Sequence, residues 1–168
     1  MGMGEIIIRQ LFISPGHNFF GHHGREAGES PLFDVNEIEC VASHGIRGDR
    51  FFVYKDEYAG QITFFAVEVF KDVCRTLGVS VRSAGAARRN VITQGVELNA
   101  LVGKRFTVQG VEFDGVCECR PCYWMEQAIG LGAEEALRGE GQLAGEDSCG
   151  WNASSGALIG EGAARTQA

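Results

Sequence analysis

Cys119-Arg120-Pro121-Cys122 gathers two thiols, a guanidinium and a helix-compatible proline into four consecutive residues, ahead of the apolar run Tyr123-Trp-Met-Glu-Gln-Ala-Ile129. The approach is a stretch of alternating character. Val111, Phe113, Cys117 and Cys119 share one face, and Glu112, Asp114, Glu118 and Arg120 share the other. Pro121 suits the first position of a helix that Gly130 and Gly132 would end, which predicts Cys122 in the first helical turn. Unpaired amides at a helix start and a neighbouring Arg120 favour thiolate over thiol, the form that binds soft metals and attacks sulfur. Cys122 is the first candidate. Cys119 is balanced between reactivity and packing, and Cys117 reads as packing, because cysteine is among the most buried residue types.

Competing chemistries are narrowed by spacing. A structural zinc site calls for a second ligand pair, which does not follow Cys119 and Cys122 downstream. A dithiol redox centre or a metal-binding module using Cys119 with Cys122 is the alternative reading. Thioredoxin-like centres, however, sit in a βαβ unit, whereas the segment before Cys119 reads as a hairpin. His17, His22 and His23 lack the helical spacing of a zinc protease and belong to a loop of substrate contacts or of no function. Two short basic motifs have anion-binding character: Gly45-Ile-Arg47-Gly48 leading into Asp49-Arg50, and Arg88-Arg89-Asn90 at a strand entrance. Converging, they would make an anion pocket.

The elements that must position these residues read mainly as strands. Strands are expected at residues 5–13, 34–42, 50–54, 61–65, 90–93, 104–108 and 111–118, the last two joined as a hairpin at Gln109-Gly110. A helix carries Val67, Phe70, Val73, Cys74 and Leu77 on one face and stops at Gly78. Residues 83–89 read as loop, residues 97–101 as a helical turn, and residues 14–31 as a long loop rich in Gly and His. The fold expected is mainly β, an antiparallel barrel-like body with a few short helices at its edges. Residues 1–142 read as one domain and residues 143–168 as a frayed C-terminal tail.

Composition sets outer limits. The 45% hydrophobic and 22% charged content is that of a globular chain, and 24 Gly against 3 Pro indicates tight turns rather than disorder. A net charge of −7 argues against broad binding to nucleic acid or to anionic membranes. Apart from Lys55, Lys71 and Lys104, the 15 basic residues are all Arg, a side chain that grips phosphate with a fork of donors. No secretory signal or membrane-length apolar run is visible, so a cytoplasmic protein is expected, with Cys40 and Cys74 as core thiols.

The ordered set of motifs resembles the MOSC domain, the C-terminal domain of molybdenum cofactor sulfurases. The set comprises Gly45-Ile-Arg-Gly-Asp-Arg50, Gln61-Ile-Thr-Phe-Phe65, Arg88-Arg-Asn-Val-Ile-Thr-Gln-Gly95, Leu98-Asn-Ala-Leu-Val-Gly-Lys-Arg-Phe106 and Cys119-Arg-Pro-Cys122. The resemblance runs from about residue 5 to residue 140. It implies a molybdenum-pterin cofactor, with Cys122 ligating the molybdenum or carrying activated sulfur. It further implies that Arg50, Arg88 and Asn90 hold the cofactor's phosphate and pterin, and that Ser14 stands where some relatives have a Lys-Ser pair. Ile13 replaces that Lys, and Arg47 or Arg120 is the expected substitute; Cys119 completes the set. The activities implied are reduction of N-hydroxylated compounds with a separate electron donor, or sulfur transfer supplied by a cysteine desulfurase. Pyridoxal phosphate is not expected on this chain. The final strand usual in the family is not legible after Gln142.

Overall fold

The computed structural model describes residues 5–55, 58, 60–81, 83–116, 118, 121–138, 140, 151–153 and 157–164. Cys117, Cys119 and Arg120 lie outside the described residues. The central element is β1, Ile6–Ile13. It pairs antiparallel with β6, Val91–Gln94, on one side, and on the other with β2, Phe33–Val35, and with β11, Gly162–Ala164. The sheet ends at β5, Phe64–Ala66, which runs parallel to β6 and is joined to it through helix α1, Val67–Leu77. A second sheet has the order β10 (Ala157–Gly160), β3 (Glu37–Val41), β4 (Gly45–Ile46), and a third the order β7 (Arg105–Val108), β8 (Val111–Gly115), β9 (Trp151–Ala153). The mainly-β expectation stands. No sheet closes on itself among the described residues, so barrel-like closure has no counterpart in the hydrogen-bonded order.

The first sheet is buried on both faces, and a register shift in β1 explains how. Pairing slips between Ile8 and Gln10, and the extra residue reverses the two-residue period. Ile6, Ile8 and Leu11 therefore all face the core shared with the other two sheets, while Phe12 turns to the opposite, helix-covered face. Neighbouring strands split the same way: Phe64 and Val91 enter the first cluster, Phe65 and Ile92 the second. Phe64, Phe106 and Phe113 meet at ring separations of 5.4–6.0 Å inside the inter-sheet core.

Helix α1 follows from an apolar stripe that buries Phe70 and Val73, and it ends where Gly78 adopts a left-handed conformation (φ 65°) and its amide donates to Arg75 O. Beside α1 lie α2, Trp124–Ala128, and α3, Ala133–Leu137. The α3 helix was not anticipated: Gly132 (φ 92°) opens a new turn, and the Glu126 carboxylate accepts from the Gly132 and Glu134 amides at 2.6 and 2.9 Å. Those contacts hold the Glu126 carboxyl below its usual range.

Other expectations need correction. Residues 50–54 form turns, not a strand: Asp49 O accepts from Phe52 N, Phe51 O from Tyr54 N, and Val53 adopts φ 49°. Residues 84–87 form a 3₁₀ turn instead of loop, capped by the Ser83 hydroxyl, which accepts from Gly85 N at 3.0 Å. The residues after Gln142 that are described are not frayed, since β9, β10 and β11 each add an edge strand to a different sheet. Their signal is weak because each is three or four residues long, and β10 and β11 are rich in Gly and Ala; in β10 Ile159 is buried while Leu158 is exposed. No helix among the described residues is long and apolar enough to cross a membrane.

Candidate functional site

Three segments distant in sequence meet at Ser14, the first residue beyond β1. The turn after β4 brings Asp49, whose carboxylate accepts from Ser14 N at 3.1 Å and from Phe51 N at 3.3 Å. The next residue holds the other backbone group of the same residue, because Arg50 N donates to Ser14 O at 2.8 Å. The Asp49 and Arg50 side chains are 0% and 2% exposed and form an ion pair at 3.3 Å. A buried pair of this kind is costly to break by removing one member, because the other is left charged in a poorly solvated place.

The Arg50 guanidinium reaches across to the third segment, donating through Nη2 to Arg88 O at 3.0 Å, and its Cζ lies 5.1 Å from the Phe51 ring centroid. Arg88 closes the 3₁₀ turn in a left-handed conformation (φ 55°, ψ 38°), which costs a residue with a Cβ about 1–2 kcal/mol. The strained backbone is matched by three hydrogen bonds: Nη2 to Ser14 Oγ at 2.6 Å and Gly16 O at 3.0 Å, and Nη1 to Ser30 O at 3.2 Å. The two basic motifs therefore do converge. Each guanidinium is held by backbone carbonyls or a hydroxyl, which fixes its orientation before any ligand arrives.

Asn90 stands in the same neighbourhood with a different task. Its Oδ1 accepts from Thr63 N at 3.1 Å and Thr63 Oγ1 at 3.0 Å, and its Nδ2 donates to Phe12 O at 3.1 Å. With 1% exposure it ties β1, the entry to β5 and the entry to β6 together, so it positions the Arg88 turn rather than presenting an amide outward. Arg47 does not join the cluster. Its side chain is 58% exposed and forms a two-pronged pair with Glu39 at 2.6 and 3.3 Å, above the Phe52 ring. The substitute cation expected for the missing Lys is therefore not Arg47, and Arg120 is outside the described residues.

His17 belongs to the loop expected to supply substrate contacts or nothing, and the structure places it beside this cluster. Its ring packs 4.8 Å from Phe51 and 5.0 Å from Phe20, and its buried Nδ1 has no hydrogen-bond partner among the described residues. Burial lowers its pKa below the usual imidazole range, and Arg50, then Arg88 and His22, push the same way against Asp49. It is a neutral ring near two guanidiniums. Only its place five residues before His22 in a His-rich loop was visible in the sequence, and spacing alone could not bring it to Arg50.

Cys122 is half-buried, packed with Tyr123 against the helix-side cluster that contains Trp124 and Met125. Its carbonyl accepts from Met125 N at 2.9 Å, so it enters α2 through a turn rather than lying within the helix. Since α2 has only five residues, the macrodipole invoked for a Cys122 thiolate is small. The loop 14–31 links Cys122 to the arginines. Its ends supply Gly16 O and Ser30 O to Arg88, while Phe19 stacks on Trp124 at 5.1 Å and Gly24 N donates to the Tyr123 hydroxyl at 3.3 Å. The loop's length has a structural use. By contrast, Cys40 is sealed in the core with its thiol pushed up to about 12 by burial, and burial also raises Cys74. Among the described residues, no group of three or more His, Cys, Asp or Glu is placed to hold a metal ion by itself.

A MOSC domain family model matches residues 44–163, a span that holds Asp49, Arg50, Arg88, Asn90 and Cys122. The fold is similar to that of the YuaD protein from Bacillus subtilis, with a TM-score of 0.71 at 14% identity, covering 97% of this chain and 96% of that one. It is also similar to YiiM from Geobacillus stearothermophilus (TM-score 0.61, 14% identity, 95% of this chain and 73% of that one). YiiM from Escherichia coli gives 0.58 at 15% identity, over 90% and 68% of the respective chains. No curated protein matches the sequence.

Proposed function

The chain belongs to the MOSC domain family, and from that premise we propose that it binds a molybdenum-pterin cofactor, with Arg50 and Arg88 at the phosphate and the Cys122 thiolate as ligand to the metal. The observation that carries this reading is the meeting of Asp49, Arg50 and Arg88, from two other segments, around the single residue Ser14. Forked guanidinium donors of fixed orientation suit a phosphate. A half-buried sulfur on an adjoining element suits a soft metal. The donor set therefore fits the group. When bound, the cofactor would supply two-electron redox chemistry or a sulfur-accepting centre.

The residues of this chain divide the work. Asp49 holds Arg50 and the Ser14 amide, Arg88 clamps the two ends of the loop 14–31, and Asn90 fixes the strand entrances beneath them. His17, its pKa lowered by burial and by Arg50, packs against Phe51 beside that cluster. Two activities follow from the same site: reduction of N-hydroxylated compounds with electrons from a separate donor, or transfer of sulfur through a Cys122 persulfide made by a desulfurase.

Anaerobic purification from molybdate-fed cells tests the reading, with elemental analysis, pterin fluorescence after oxidation, and intact mass before and after a reductant. Molybdenum with pterin supports the reductase form, and a reducible sulfur adduct on Cys122 without metal supports the carrier. Neither species, in protein that accepts no cofactor from a donor extract, refutes both.

A further inference from the structure

We infer that the loop 14–31 is a strap released by an anion at Arg88: a phosphate oxygen that takes the guanidinium away from the loop's two ends loosens the strap's hold on the segment that carries Cys122. The inference rests on the phosphate-gripping role proposed above for Arg88 and adds a coupling between that guanidinium and the thiol. Arg88 fastens the strap at its base. Its Nη2 donates to Gly16 O at 3.0 Å and its Nη1 to Ser30 O at 3.2 Å, so one cation ties both ends of the loop to the 3₁₀ turn. At the far end Phe19 stacks on Trp124, the Gly24 amide donates to the Tyr123 hydroxyl at 3.3 Å, and the His23 ring meets the Tyr123 ring edge-on at 5.1 Å. Tyr123 and Trp124 directly follow Cys122.

The fastening at Arg88 is one that an anion can undo. Both backbone acceptors are neutral carbonyls, and a phosphate oxyanion forms a stronger bond with the same donors because both partners are charged. Neither carbonyl is stranded by the exchange: Gly16 O also accepts from Ser14 Oγ at 3.0 Å, and Ser30 O from Asn18 Nδ2 at 3.1 Å. Ser14 Oγ, at 2.6 Å from Nη2, keeps the guanidinium oriented meanwhile. The neck of the loop stays stitched, since Asn18 Oδ1 accepts from Ser30 N at 2.7 Å and Asn18 O from Gly28 N at 2.8 Å, so the strap lifts as one piece instead of unravelling. What then holds the tip is a ring stack, a ring edge and one long hydrogen bond from an exposed glycine.

The test is iodoacetamide labelling of the full chain, purified without molybdate and held at fixed pH, with potassium phosphate titrated against potassium chloride at matched ionic strength and fragment masses read at each cysteine. Phosphate should speed Cys122 labelling saturably by about tenfold, the scale of one charge-assisted hydrogen bond removed from the closed state, and amide exchange at Phe19 and Gly24 should quicken with it. Charge alone works in the opposite direction, because an anion near a thiol disfavours the thiolate and slows labelling. Cys40, sealed in the core, reports global opening and should stay unlabelled. Arg88→Met should reach the fast rate without phosphate and lose the phosphate response, whereas Tyr123→Phe, which deletes the hydroxyl that holds Gly24, should raise the starting rate and keep the response. Cys122 labelling unmoved or slowed by phosphate in the unaltered chain, acceleration only in step with Cys40, or a phosphate response that survives in Arg88→Met would overturn the inference. Molybdenum content reads out separately: a chain that loads cofactor without any phosphate response keeps the cofactor reading and loses the strap, and the reverse result does the opposite.

Discussion

Replacing Asn90 by Ala separates a positioning role from a ligand contact. The native side chain makes three hydrogen bonds in a place with 1% exposure: from Thr63 N, from Thr63 Oγ1 and to Phe12 O. The Thr63 hydroxyl can rotate and still accepts from Asn90 N at 3.1 Å, so its loss is partial. The Thr63 amide has no such freedom, and the Phe12 carbonyl loses a donor. With one stranded amide, one weakened carbonyl and one partly relieved hydroxyl, Asn90→Ala should destabilise the fold by roughly 3 kcal/mol, given about 1–3 kcal/mol for each buried polar group left unsatisfied. For a chain of this size that is a fall in Tm of roughly 6–12 °C. Asn90→Asp should fare worse, because it keeps the acceptor but turns a carboxylate oxygen toward Phe12 O. Urea unfolding followed by tryptophan fluorescence gives the free-energy change. A loss below about 1 kcal/mol accompanied by loss of cofactor would refute the assignment, since Asn90 would then be acting on the ligand.

The pKa of His17 is lowered on folding, so the unfolded chain binds the proton more readily. Its contribution to stability is present above the unfolded value near pH 6.5 and is lost as pH falls toward the folded value. His17→Gln should flatten the stability profile across that acidic window, and NMR titration of the ring should place its midpoint below the usual imidazole value; a midpoint at or above that value would contradict the burial and guanidinium effects. Glu126 behaves in the same sense for a different reason, because its carboxylate gains two backbone amides when α3 forms. Its contribution is present above its unfolded pKa and fades as pH falls through the lowered folded value. Glu126→Gln should speed hydrogen exchange at the Gly132 and Glu134 amides, and unchanged exchange would show that α3 is held by packing alone.

Elements with a strong local signal were legible in the sequence, and elements made by the meeting of distant segments were not. The hairpin of Arg105–Val108 and Val111–Gly115 followed from alternation around Gln109-Gly110, and Val111 and Phe113 are fully buried as that alternation requires. Helix α1 followed from its stripe and Gly78. The run 50–54, rich in aromatics, imitated a strand, but the Asp49 carboxylate gathers the amides of Ser14 and Phe51 and sets a turn there. Nothing local marked the slip in β1, which is visible only once β6 supplies a partner register. Arg50 and Arg88 could be singled out by motif, yet Arg47, equally basic and three residues away, faces Glu39 instead. The difference lies in which side of the β4 turn each side chain leaves. Asp49 is the hub of the cluster, and it stood in the sequence as a neighbour of Arg50 rather than as a candidate in its own right. The edge strands β9 to β11 are short and weakly patterned, and their partners lie some 40 to 160 residues away, beyond the reach of periodicity.

Molybdenum content of the Cys122→Ser variant, measured beside the unaltered chain after identical anaerobic loading and with pterin quantified in both, addresses the central claim most directly. If the thiolate is the metal's protein ligand and the arginine cluster grips the phosphate, the unaltered chain should approach equimolar molybdenum and pterin, and the variant should lose most of the metal while remaining folded. Equal molybdenum in the two proteins would contradict the assignment of Cys122.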